Sequence, residues 1–208
     1  MQITRYGHSC LLVEAGDARL LLDPGTFSSG FEDLRGLTAV LVTHQHPDHL
    51  DLPRLGPLLE ANPDARLHVD EDSVAQLDGL PHTVVRAGDR LDLGARVDVV
   101  GSRHAVIHAD LPVVANVGYL VAERFFTPGD ALTVPEADIE VLGVPVAAPW
   151  LKVGEAVDYL RAVAPGSAFP VHDAVTGTLQ AWYRQLDALA GPGTDFAAVP
   201  PDAVVGGA

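Results

Sequence analysis

"TAVLVTHQHPDHLD", residues 38–51, joins an apolar run to nine positions that hold three histidines and two aspartates. A continuous apolar stretch of this length reads as a strand buried on both faces. His44 and His46 are two apart, so in extended chain they project to the same side. Pro47 turns His46 away from helical geometry, and Asp48 and His49 follow at the entrance to a helix. Four candidate metal ligands therefore converge from one loop at the end of a buried strand.

A loop alone seldom closes a metal site, because divalent ions take four or more donors. Working outward, His104 follows "VDVVGSR", Asp130 follows "RFFTPG" and His172 follows "SAFPV". Each lies at the end of a strand-like run, as the first cluster does, and in layered α/β proteins such ends collect on one edge. Five imidazoles (His44, His46, His49, His104, His172) and two carboxylates (Asp48, Asp130) suit two ions sharing a carboxylate better than one ion.

The flanking segments predict the layers. "QITRY", "CLLVEA" and "ARLLLD" read as an antiparallel meander, with Gly16 and Asp17 turning between the last two. "PRLGPLLEAN", from Pro53 to Asn62, has near-helical apolar spacing, interrupted by Gly56 and Pro57. "ARLHV" and "HTVVR" read as strands around a helical "DSVAQLDGL". "DRLDLGARVDVVGS" reads as a hairpin turning at Gly94, and "VVANVGYLVAERFFT" as a further β pair. The last third alternates "EVLGVPVA", a helical "VGEAVDYLRAVA", the strand "SAFPV" and a second helix in "AVTGTLQAWYRQLDALA", an α/β pattern. The tail 191–208, rich in Pro, Gly and Ala, is expected to be loosely ordered with at most one short strand.

H-x-H-x-D-H with downstream His104, Asp130 and His172 resembles the metallo-β-lactamase superfamily, over most of the chain. The resemblance implies a four-layer αββα sandwich with two mixed β-sheets, as one domain over 1–208. It also implies that His44, His46 and His104 hold one ion, that Asp48, His49 and His172 hold the other, and that Asp130 bridges them. "YGHSCLLVEAGDARLLLDPG" and "TPGDAL" are similar to the small branch that includes ascorbate-6-phosphate lactonase and N-acyl-phosphatidylethanolamine phospholipase D. No cysteine occupies a ligand position and no Glu replaces His46, unlike several true β-lactamases and the flavin-partnered di-iron oxidases respectively.

Two ions roughly 3.5 to 4 Å apart can bridge a water and lower its pKa from about 15.7 towards 7. The expected activity is thus hydrolysis by a metal-bridging hydroxide of a small ester, lactone or phosphodiester. Two dications against two carboxylates and a hydroxide leave a net positive site, so an anionic substrate is expected. Zinc is the first candidate ion, with manganese or iron as alternatives, because His and Asp accept all three. Asp48 and Asp130 are ligands first. His8 is a candidate substrate contact or ligand support, and His108, four after His104, a candidate proton donor. Trp150 and Lys152 in "APWLKVGEA" are candidates for the pocket wall. Asp173 and Asp23 are candidates for orienting a ligand imidazole. His68 and His82 are assigned no function. Competing readings are an iron-dependent redox enzyme like the sulfur dioxygenases, and a non-catalytic binding protein.

Composition limits the partners. The chain has 208 residues, 48% of them hydrophobic, and a net charge of -15. That size suits one domain, and the acidity gives no footprint for nucleic acid or an anionic membrane surface. Neither a secretory signal nor a membrane span is read in it. One cysteine, Cys10, allows no internal disulfide and is consistent with a cytoplasmic protein. The oligomeric state is left open.

Overall fold

A computed structural model describes residues 1–175, 179–197 and 204–206. The strands are β1 (Gln2–Arg5), β2 (Leu11–Ala15), β3 (Ala18–Leu22), β4 (Ala39–Leu41), β5 (Arg66–Val69), β6 (Thr83–Val84), β7 (Arg90–Asp92), β8 (Arg96–Val100), β9 (Gly118–Val121), β10 (Phe125–Thr127), β11 (Val141–Pro145), β12 (Ser167–Val171), β13 (Asp195–Phe196) and β14 (Val204–Gly206). The helices are α1 (Leu52–Glu60), α2 (Val153–Val163) and α3 (Leu179–Leu189).

They form two mixed sheets, ordered β14-β1-β2-β3-β4-β5-β6 and β13-β12-β11-β10-β9-β8-β7. In the first, β14 to β3 pair antiparallel and β3 to β6 parallel. In the second, β7 to β10 pair antiparallel and β10 to β13 parallel. The parallel halves carry the helices, because a parallel connection needs a crossover.

Alternation along β4 explains the apolar run that feeds the histidine loop. Ala39 and Leu41 face the core between the sheets, with Leu20, Val97, Tyr119, Phe125 and Phe169. Val40 and Val42 face the outer layer, with Leu55 and Leu58 of α1. A third cluster packs Ala156 and Leu160 of α2 and Leu186 of α3 against Leu142 and Val144 of β11. The order is helix, sheet, sheet, helix, as expected of an αββα sandwich.

Differences from the sequence reading are local. "PRLGPLLEAN" forms one helix despite Pro57, with Asp51 as its N-cap accepting from the Arg54 backbone N–H; such a cap contributes about 1 kcal/mol. "DSVAQLDGL" forms only a 3-10 turn, Ser73–Gln76, since Asp70 ties the backbone N–H groups of Asp72 and Ser73 into a side-chain-capped turn. The tail contributes two short strands where at most one was expected: β13 extends β12 and β14 pairs with β1. An open sheet edge on each side supplies partners that composition cannot reveal. Residues 198–203 and 207–208 of that tail, and 176–178 at the start of the last expected helix, lie outside the described residues. Among the described residues, no helix is long and apolar enough to cross a membrane.

Candidate metal centre

The loop after β4 is held by the chain on either side of it. Thr43 donates its backbone N–H to Asp23 Oδ1 at 2.8 Å and its hydroxyl to Asp23 Oδ2 at 2.9 Å. The His46 carbonyl accepts the N–H groups of His49 and Leu50, closing the turn that swings Asp48 and His49 inward. Gly25 lies against this turn so closely that a Cβ there would sit 1.8 Å from the Asp48 carbonyl oxygen, which excludes any side chain.

The other donors arrive at the ends of β8, β10 and β12. Asp130 is positioned by Asn116, whose Oδ1 accepts the Asp130 N–H at 2.9 Å and whose amide donates to the Pro128 carbonyl. Asn116 shows in the sequence only as a break in an apolar run. His172 takes a left-handed backbone, φ 57°, and so does His8, φ 49°. Both conformations are costly outside glycine, and the two backbones are joined by a His172 N–H to His8 carbonyl bond.

All seven expected ligands come together. His44, His46, His104 and Asp130 form one group, and Asp48, His49 and His172 form a second that also includes His8. Asp130 lies between the two groups. Its Oδ1 is 3.1 Å from His49 Nε2, and its Oδ2 is 3.0 Å from His172 Nε2 and 3.3 Å from His104 Nε2.

Hydrogen bonds on the far side of each ring decide which nitrogen is offered. His49 Nδ1 donates to Asp23, His104 Nδ1 to the Ala105 carbonyl and His172 Nδ1 to the Ala147 carbonyl. His44 Nδ1 donates to the Thr43 oxygen, whose own proton goes to Asp23. In their neutral form these rings therefore carry the lone pair on Nε2. The Nε2 atoms of His49, His104 and His172, with Asp130 Oδ1, are buried and have no hydrogen-bond partner. Buried polar atoms are almost always satisfied. Four orphans converging on one point, each held from behind, fit a site for cations.

His8 differs. Its Nδ1 accepts the Ala174 N–H, so the proton is on Nε2, which donates to Asp48 Oδ2 at 3.1 Å. It presents a donor inward and orients Asp48.

The two groups also differ electrostatically. Burial, with the neighbouring imidazoles, holds the His44 pKa well below its ordinary value and lowers that of His46. Burial acts the same way on His49 and His172, but facing carboxylates outweigh it. Asp130 and Asp23 raise His49 well above the ordinary value, and Asp130 and Asp48 raise His172 to about 9. Asp48 and Asp130 are held ionised against the cost of burial by the same imidazoles.

Above these groups opens a cavity of about 360 Å³, walled by His46, Asp48, His104, Asp130 and His172 below and by Thr26, Phe27, Pro47, Ile107, Pro149, Trp150 and Val175 around its mouth. The loops after β3 and β11 both contribute to this wall. Trp150 donates its indole N–H to Asp130 Oδ2 at 3.0 Å, a contact that residue type alone did not predict. Lys152 is exposed and caps α2 through its backbone N–H. Ile107 lines the cavity and His108 does not; that ring is exposed, with Nδ1 accepting from the Asp110 N–H. Asp173 orients no imidazole. It pairs with the buried Arg5 and accepts from the Tyr183 hydroxyl, tying β1 and α3 to the loop of His172. His68 is buried on β5 and His82 exposed, and neither belongs to either group.

The β-lactamase superfamily domain matches residues 2–172. The chain belongs to the metallo-β-lactamase superfamily. The chain is similar to the protein Rv0786c of Mycobacterium tuberculosis, 50% identical over 99% of both chains. A protein of Chelativorans sp. (strain BNC1), described as a UPF0173 metal-dependent hydrolase, is 44% identical over 30% of this chain and 31% of its own. Among solved structures, Igni18 of Ignicoccus hospitalis, described as a metallo hydrolase, superposes with a TM-score of 0.73 at 14% identity, over 98% of this chain and 97% of that one. At that identity the likeness shows the fold.

Proposed function

We propose that this chain is a dinuclear metal-dependent hydrolase of small esters, lactones or phosphodiesters. The carrying observation is the set of orphaned, back-anchored His Nε2 atoms around a shared Asp130. His44, His46 and His104 would hold one ion and Asp48, His49 and His172 the other, with Asp130 common to both. When bound, the two ions supply an acidified water and polarise the scissile bond.

The chain's own residues set the geometry. Asp23, Thr43 and the carbonyls of Ala105 and Ala147 fix the tautomers so that lone pairs face inward. His8 holds Asp48, and Trp150 holds Asp130 while shielding it from water. His108 has no part in this scheme. With Asp48 and Asp130, among the described residues, the only carboxylates in the two groups that would face two dications, the site is net positive and favours a reacting group that bears or develops negative charge. Zinc is the proposed ion, and its N/O donor set suits manganese and iron too. The buried lone Cys10, whose thiol burial pushes up, suits a reducing cytoplasm.

The test is metal-reconstituted protein, zinc and manganese separately, assayed on a generic phosphodiester and a generic lactone, with Asp130→Asn as control. Two metal equivalents, turnover of one bond class and a variant at least about a hundredfold slower are expected, since the variant loses the shared ligand. Full loading without turnover of either, or oxygen consumption by an iron-loaded form, would overturn the proposal.

A further inference from the structure

The walls of the cavity above the His/Asp groups are apolar, although the chain as a whole is strongly acidic. Among the described residues, large hydrophobic side chains that stay exposed number seven. Three of them, Phe27 at 52%, Ile107 at 38% and Val175 at 42%, line this one cavity. They come from three loops far apart in sequence, following β3, β8 and β12. Two more exposed residues, Val106 and Leu111, belong to the same loop as Ile107. Exposed apolar groups that gather at a site, rather than scatter, mark a surface that is covered in use.

Two aromatic side chains of the wall are anchored from behind. Phe27 packs edge-on against His8, with ring centroids 5.3 Å apart. Its loop is tied down by Arg54, which donates to the Gly25 carbonyl at 2.6 Å and the Ser28 carbonyl at 2.8 Å, and by the Thr26 N–H bonded to the Pro47 carbonyl. Trp150, fixed by its bond to Asp130, stands against His104 and His172. No Lys or Arg is among the described lining residues, so an anionic distal group would find no cationic side chain there.

We infer that the substrate is amphiphilic: its hydrolysable group meets the His/Asp floor, and an uncharged apolar arm of several carbons lies against Phe27, Ile107, Trp150 and Val175. The inference rests on the hydrolase reading for the reacting end only. The chemistry that fits is an acyl ester or lactone in which water adds across the acyl C–O bond, giving a carboxylate, a hydroxyl and a released proton. The carboxylate product would retain the arm. A cavity of about 360 Å³ lies within the size range of pockets for small organic ligands.

The test measures binding without turnover. Straight-chain carboxylates from acetate to octanoate are titrated calorimetrically into the zinc-loaded protein, and into a Phe27→Ser, Ile107→Ser double variant. Each methylene placed on the apolar wall should tighten binding by roughly three- to fourfold in the native protein. The double variant should lose at least half of that dependence on chain length while still binding two zinc equivalents and keeping a native circular dichroism spectrum, because neither side chain belongs to the buried core. Affinity independent of chain length, or an equal dependence in the variant, would overturn the inference. A steep series from a protein that turns over no ester, lactone or phosphodiester would instead count against the hydrolase reading alone.

Discussion

The two halves of the centre use similar side chains in different electrical settings. In the half formed by His44, His46 and His104, burial and mutual repulsion keep His44 and His46 neutral, ready to give lone pairs. In the half formed by Asp48, His49 and His172, Asp23, Asp48 and Asp130 face the imidazoles and favour a proton where an ion would bind. An ion entering the first half displaces little, whereas one entering the second must expel protons. The second half should therefore fill later and with steeper pH dependence. It is also the half that draws on His8 from the N-terminal meander.

The largest effect should come from Asp23→Asn. Removing the carboxylate behind His49 takes away both its tautomer lock and its charge, so metal affinity in the second half should fall about 10- to 100-fold. Calorimetric zinc titration would show the second binding phase weakened more than the first, which Asp23 supports only indirectly, through Thr43; equal weakening of both would break the distinction.

A smaller effect is expected from pH on the metal-free protein. His172 has its pKa raised from 6.5 to about 9. A raised value means the protonated ring stabilises the fold fully below about 6.5, and that the contribution is lost as pH rises through about 9. The melting temperature should fall by about a few degrees across that window. With zinc bound the fall should vanish, since the ion replaces the proton. A flat metal-free profile would remove the electrostatic contrast.

The smallest effect belongs to His8→Asn, chosen because Asn tolerates the left-handed backbone at this position. Loss of one donor to Asp48 should weaken the second metal phase by less than tenfold and leave the first unchanged. A loss as large as that of Asp23→Asn would mean that His8 is itself a ligand.

Much of this centre was legible in sequence because strand ends advertise themselves. Apolar runs before His44, Asp130 and His172 mark where each donor would emerge, and the H-x-H-x-D-H spacing marks the loop. Asp173 illustrates the limit. Adjacency to His172 suggested an orienting role, but the left-handed backbone at His172 turns the two side chains apart, and Asp173 meets the buried Arg5 instead. Breaking such a buried pair by removing one partner costs about 3–5 kcal/mol. Ile107 and His108 make the same point on a loop without regular periodicity, where neither spacing nor residue type says which side chain faces in.

Residue type and order by themselves determined the layered α/β plan, the seven convergent His and Asp residues and the acidic balance, because burial patterns and donor chemistry are local properties of the chain. The tertiary structure alone decided which ring nitrogen each histidine offers, since a tautomer is set by whatever lies behind the ring: Asp23 for His49, the Ala147 carbonyl for His172, the Ala174 N–H for His8. It also decided that Phe27, Ile107 and Val175 share one cavity, because three loops far apart in sequence meet only where the strand ends of the two sheets come together.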